Sequence, residues 1–182
     1  PAGASRVPPP AVPGAMADIT GRPLHGTLEP AGCTPKPVED AVVWVGMDPG
    51  TQDATFSSAV AHAGSPLQQL TAQAARCTSY TSGAMPTAST RWTSTLGAAP
   101  SVPSGVTGAT IERTGITGGI SAGSVTVPMP NSMTTRTRTL LAQRDATRVY
   151  VEYRWHSAAP LPATQRQQLD TLFARAVAAA FG

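Results

Sequence analysis

The sequence predicts an α+β domain in which a largely antiparallel β-sheet is packed by a short capped helix and a C-terminal amphipathic helix. Three observations lead there. Residues 147–155 alternate strictly: Val149, Val151, Tyr153 and Trp155 are interleaved with Arg148, Tyr150, Glu152 and Arg154, the period-two pattern of a strand with one buried face. Two other segments carry apolar residues at helical spacing. Short turns join the remaining strand-like stretches, with one helix inserted among them and one at the end.

Taken in chain order, residues 1–14 (PAGASRVPPPAVPG) have the composition of a flexible extended tether, and residues 15–182 are expected to form one extracytoplasmic domain. Such spacers commonly follow a signal peptide or lipid anchor. The chain starts at Pro1 rather than Met, so an upstream segment is expected, either processed in the cell or removed artificially, with membrane contact only through a removed N-terminal anchor. Strands are expected at 41–47, 55–62, 89–96, 109–117, 124–127, 134–142 and 147–155. Between the second and third, Ser65 is a natural N-cap, Pro66 suits the first helical position and Gln68 completes a capping box. Leu67, Leu70, Ala74 and Cys77 then form one apolar stripe.

The stretch 97–106 lacks periodicity and reads as a surface loop. For the last hairpin, a three-residue loop of Gln143, Arg144 and Asp145 sets Arg136 opposite Glu152 and keeps arginines off the core face. In the final helix Thr164 caps and Gln167 reaches back to it. Leu169, Leu172, Phe173, Ala176, Ala180 and Phe181 share one face, with Gln168, Asp170, Thr171 and Arg175 toward water.

Composition narrows the function classes. Hydrophobic residues make up 41% of the 182 but aromatics only 5%, so Trp44, Tyr150, Tyr153, Trp155 and Phe173 are the expected large core anchors. Charged residues are 13%, with a net charge of +3, and every basic residue except Lys36 is arginine. Those arginines are scattered without a basic run or interleaved aromatics, so a nucleic-acid partner is not expected. Residues with GC-rich codons predominate, pointing to a GC-rich bacterial genome such as an actinobacterium's. Cys33 and Cys77 fit no zinc or redox motif. Two buried thiols and one bridge are both open. A bridge would contribute up to about 4 kcal/mol on the chain-entropy model and would persist in an oxidising compartment, in keeping with export.

The chemistry-bearing motifs are sparse. Gly119-Ile120-Ser121-Ala122-Gly123 matches the G-x-S-x-G nucleophile elbow, and Asp145 and His156 follow in the order of a Ser-Asp-His triad. An elbow needs a strand turning sharply into a helix, whereas Val125, Thr126, Val127, Pro128 and Pro130 follow Ser121 here. His25 and His62 stand alone among small residues, and Glu39 and Asp40 point to opposite faces of a strand. Asp48-Pro49-Gly50 reads as a turn. No nucleotide-binding glycine motif is present, and neither a cofactor nor a metal is expected.

The run 26–83 has Pro30-Ala31-Gly32-Cys33 after a short polar segment, then the Val-rich strand at 42–45, then a capped helix ending at Cys77. In this it resembles uncharacterised secreted lipoproteins of mycobacteria and other actinobacteria and, more distantly, the extracellular sensor domain of PknH-type receptor kinases. The resemblance implies a cell-envelope location, a Cys33–Cys77 bridge and an antiparallel sheet with helices. The expected function is therefore non-enzymatic binding of an envelope ligand or protein partner, with a small serine hydrolase using Ser121 as the alternative. A groove beside Trp155, formed with Tyr153, Arg154, His156 and Phe173, is the candidate site for an amphiphilic envelope molecule with an anionic head.

Overall fold

The computed structural model of the chain describes residues 3–83, 89–118, 120–122, 125–127 and 133–182, with the backbone alone for the two segments between 120 and 127. From the N-terminus come β1 (Ser5–Arg6), a 3-10 turn at Pro9–Ala11, α1 (Val12–Thr20) and a second 3-10 turn at Ala31–Cys33. There follow β2 (Val38–Met47), β3 (Thr55–Ala63), α2 (Leu67–Arg76), β4 (Ser79–Ser82), β5 (Thr90–Gly97) and β6 (Thr107–Thr117). A two-stranded ribbon of β7 (Ile120–Ala122) and β8 (Val125–Val127) precedes β9 (Met133–Arg144), β10 (Thr147–Trp155) and α3 (Ala163–Phe181). Eight strands make one antiparallel sheet in the order β1-β2-β3-β10-β9-β6-β5-β4. The α+β class is as expected. Ser124, assigned to a strand from the sequence, lies outside the described residues, as do Gly119 and Gly123 of the G-x-S-x-G motif.

Both faces of this sheet are covered, where the sequence pattern implied one. On the first face, Val149, Val151, Tyr153 and Trp155 of β10 pack against Leu169, Phe173 and Val177 of α3. On the second, Tyr150, Leu141 and Ile111 meet Met16 and Ile19 of α1 and Leu67 of α2. The polar residues that alternate along β10 therefore do not face water. They lie under the second helical layer, where side-chain and backbone partners satisfy them, and this is what lets polar residues occupy an interior face.

Residues 1–14 are not a flexible tether over their described part. Ser5 and Arg6 pair with Val45 and Trp44, Val7 N–H donates to the Val43 carbonyl at 2.8 Å, and Val12 already begins α1. The prolines that suggested a spacer preset the 3-10 turn and the first turn of the helix. The helix holds by burying Met16 and Ile19 rather than by intrinsic propensity.

Helix starts also differ from expectation. Pro66 and Pro162 are the N-caps, extended at ψ 154° and 151°, and their carbonyls accept the first helical hydrogen bonds from Gln69 and Arg166. Ser65 and Thr164 consequently do not cap. The last hairpin turns on two residues, since Arg144 pairs with Thr147 and Asp145 takes φ 52°, a left-handed conformation aspartate tolerates. Glu152 therefore faces Thr139 rather than Arg136. Arg136 and Arg138 do fall on the α3 face, but beyond the helix: Arg138 pairs with Glu112, and Arg136 lies 5.6 Å from the Trp155 ring and donates to the Ala158 carbonyl. Trp44, expected in the core, is 38% exposed on the sheet near its β1 edge, beyond the reach of α3.

A disulfide joins Cys33 and Cys77, with Cα atoms 5.6 Å apart, and it packs with Leu28 and Tyr80. It ties the C-terminus of α2 to the segment leading into β2.

Candidate functional site

The residues nominated from the sequence are split across the sheet. Tyr153 and Phe173 belong to the closed core under α3, and the Tyr153 hydroxyl donates to Asp48 Oδ2 at 2.7 Å. Burial pushes the Asp48 carboxyl up, yet the hydrogen bonds from Tyr153, Gly50 N–H and Gln165 outweigh that and hold it below its ordinary value. The Asp48 turn is thus a clamp between the β2–β3 connection, β10 and α3. Trp155 is also buried, with its Nε1–H donating to the Ala159 carbonyl at 3.0 Å. Arg154 points to the opposite face, where Nη2 donates to the Asp18 carbonyl at 2.8 Å. His156 is exposed past the strand end, Nδ1 standing 3.1 Å from Thr135 Oγ1. No shared groove gathers these five residues. A cavity of about 320 Å³ does adjoin Trp155, but Arg136, Arg138, Arg166 and Glu112 line it rather than Arg154 or His156.

Another cavity lies on the other face, between the sheet and its two-helix cover. Its volume is about 280 Å³. β10 supplies Arg148 and Tyr150 to its floor, β9 supplies Thr139 and Leu141, and β6 supplies Arg113; alternation places these on one side because their strands are neighbours in register. Leu70, Gln73 and Arg76 of α2 form one wall, with Lys36 and Pro35 at the mouth. Ile19 and Thr20 close the far side where α1 ends at Gly21, whose φ of 74° is the left-handed conformation glycine supplies at a helix end.

Arg148 is 3% exposed. Its Nε donates to Gln143 Oε1 at 2.7 Å, Nη2 to the Ser65 carbonyl at 2.8 Å and Nη1 to the Tyr150 hydroxyl at 3.2 Å. Arg113, 9% exposed, donates to the carbonyls of Ile19 and Thr20, capping the negative end of α1. Glu152 lies on the same face, four residues from Arg148 on β10, and accepts from Thr139 Oγ1 at 2.9 Å. Burial pushes its carboxyl up to about 7, against the pull of Arg154 and Arg113 and the Thr139 hydrogen bond.

Sequence reading missed these as site residues: period-two logic put Arg148 toward solvent, Tyr150 was expected only as a core anchor, and nothing local marked Arg113 of β6. At Ser121 the backbone runs as a strand paired with Thr126, in place of the strand-to-helix turn that an elbow requires. Among the described residues no group of three or more His, Cys, Asp or Glu is placed to hold a metal ion. Among the described residues no helix is long and apolar enough to cross a membrane. Compared with known proteins, the chain matches no family model, no curated protein and no solved structure.

Proposed function

We propose that this chain is a non-enzymatic ligand-binding domain of an exported cell-envelope protein, and that its binding place is the cleft between the sheet, α1 and α2. The cleft itself carries the reading. It is concave, of mixed polarity and bounded by regular elements, the combination typical of small-molecule sites, and its volume of about 280 Å³ suits a small ligand. The disulfide supports an oxidising compartment. The likeness of residues 26–83 to actinobacterial lipoproteins supports the envelope and an anchor upstream. The groove beside Trp155 is not retained, since Tyr153 and Phe173 complete the core instead of lining a surface.

A test is the change in amide chemical shifts when a library of small envelope-type metabolites is added to the intact protein. Shifts concentrated on α2 and on residues 139–150 are expected. Shifts centred on Arg136 and Trp155, or none from any compound, would count against the cleft. Covalent labelling by a fluorophosphonate that Ser121→Ala abolishes would restore the hydrolase alternative.

A further inference from the structure

Charge is distributed unevenly around the cleft. Lys36, Arg76, Arg113 and Arg148 line it, and among its described lining residues there is no Asp or Glu. Lys36 and Arg76 are exposed at the rim, whereas Arg113 and Arg148 are buried at the floor. Among the described residues no carboxylate lies within 4.0 Å of either buried guanidinium.

Arg148 is the sharper case. A guanidinium stays charged at any pH the fold survives, and burying it without an opposite charge costs several kcal/mol. Neutral groups offset that here, the oxygens of Gln143, Ser65 and Tyr150 and the Tyr150 ring 6.0 Å from Cζ. A guanidinium has five N–H donors; each nitrogen of this one donates once in these bonds, which leaves two N–H groups unused by them on a side chain that lines the cleft. Beside them Ile19, Leu70, Leu141 and Pro35 give the cleft an apolar wall.

We propose, resting on the reading of the cleft as the binding place, that it takes a small organic anion: a phosphate or carboxylate head held by Arg148 and Arg113, and a short apolar body against Leu70 and Leu141. The rim cations Lys36 and Arg76 draw the anion in, and the buried pair fixes it. The cavity admits a head and a short chain, which favours a soluble metabolite over a lipid embedded in a bilayer.

Calorimetric titration with n-hexyl phosphate, hexanoate, inorganic phosphate and 1-hexanol tests this. Hexyl phosphate or hexanoate is expected to bind, and to shift the Arg148 Nε–H resonance. Hexanol is expected to bind at least about tenfold more weakly, as loss of a charge-assisted hydrogen bond requires. Arg148→Gln should lose the discrimination. Because that variant removes a buried anchor, the exposed double variant Lys36→Gln, Arg76→Gln is the companion: it keeps the fold and should weaken hexyl phosphate about threefold or more while flattening its salt dependence. Equal binding of hexanol and hexyl phosphate, with shifts still in the cleft, would overturn the anion but keep the site. Inorganic phosphate binding as tightly as hexyl phosphate would overturn the apolar part. No binding of any of the four, or shifts centred on Arg136 and Arg138, would overturn the anion proposal and the site together.

Discussion

Arg148 and Glu152 share a face of β10 and respond oppositely to being buried. The guanidinium keeps its charge and takes neutral partners, while the carboxyl holds its proton to about 7 instead of 4.5. Between those values the folded protein carries a proton that the unfolded chain has released. The stability contributed by this group is therefore full below about pH 4.5 and lost as pH rises through about 7, by at most about 3 kcal/mol. The urea midpoint should fall between about pH 5 and about pH 8, and Glu152→Gln should remove most of that slope while being the more stable protein at the alkaline end. A slope that survives the substitution would mean another group causes it. On the other face, Tyr153→Phe removes a donor from Asp48, which keeps Gly50 N–H and Gln165. A loss of about 1–2 kcal/mol in chemical denaturation is expected.

At the scale of elements, α1 separates what the sequence made legible from what it did not. The strands at 55–63, 107–117, 133–144 and 147–155 were legible to within a few residues, because alternation with β-branched residues is a local signal. Val12–Thr20 was not, since Pro13 and Gly14 mask its pattern and its stability comes from Met16 and Ile19 docking on a sheet assembled from distant residues. Ile19→Ala should cost about 2–4 kcal/mol by thermal or urea unfolding, a loss that a tether residue would not show. The candidate site was hidden for the same reason. Arg113 and Arg148 meet only through the β6–β9–β10 order, and nothing local marks the face they share. The disulfide was the readable long-range contact. It closes a loop of sequence separation 44, and replacing both cysteines by alanine should lower stability by about 4 kcal/mol, measurable as a fall in the urea midpoint.

For the whole molecule, covering both faces puts the middle of the sheet out of reach of solvent. β3, β10 and β9 sit between α3 on one side and α1 with α2 on the other. Their amides should exchange with deuterium most slowly, near the global unfolding limit, while β1 and β4 at the ends of the sheet exchange first. Equal protection across all eight strands would contradict this layering. The same architecture explains how a chain with few aromatics suffices: three of the six buried aromatic side chains, Tyr150 on one face and Tyr153 and Trp155 on the other, stand on a single central strand.

β1 has a further role that concerns other copies of the chain. An antiparallel sheet with free outer strands invites another polypeptide to continue its ladder. Here residues 5–7 occupy the outer side of β2 at 43–45, a register shift between Glu39 and Val42 breaks the remainder, and at the opposite end β4 is four residues long with Thr81 bridged to Glu29. The proline-rich start of the chain thus stands guard over an edge. Removing residues 1–8 takes away Val7 from the margin of the core and exposes that edge, and sedimentation should then show self-association rising with concentration beyond that of the 182-residue chain.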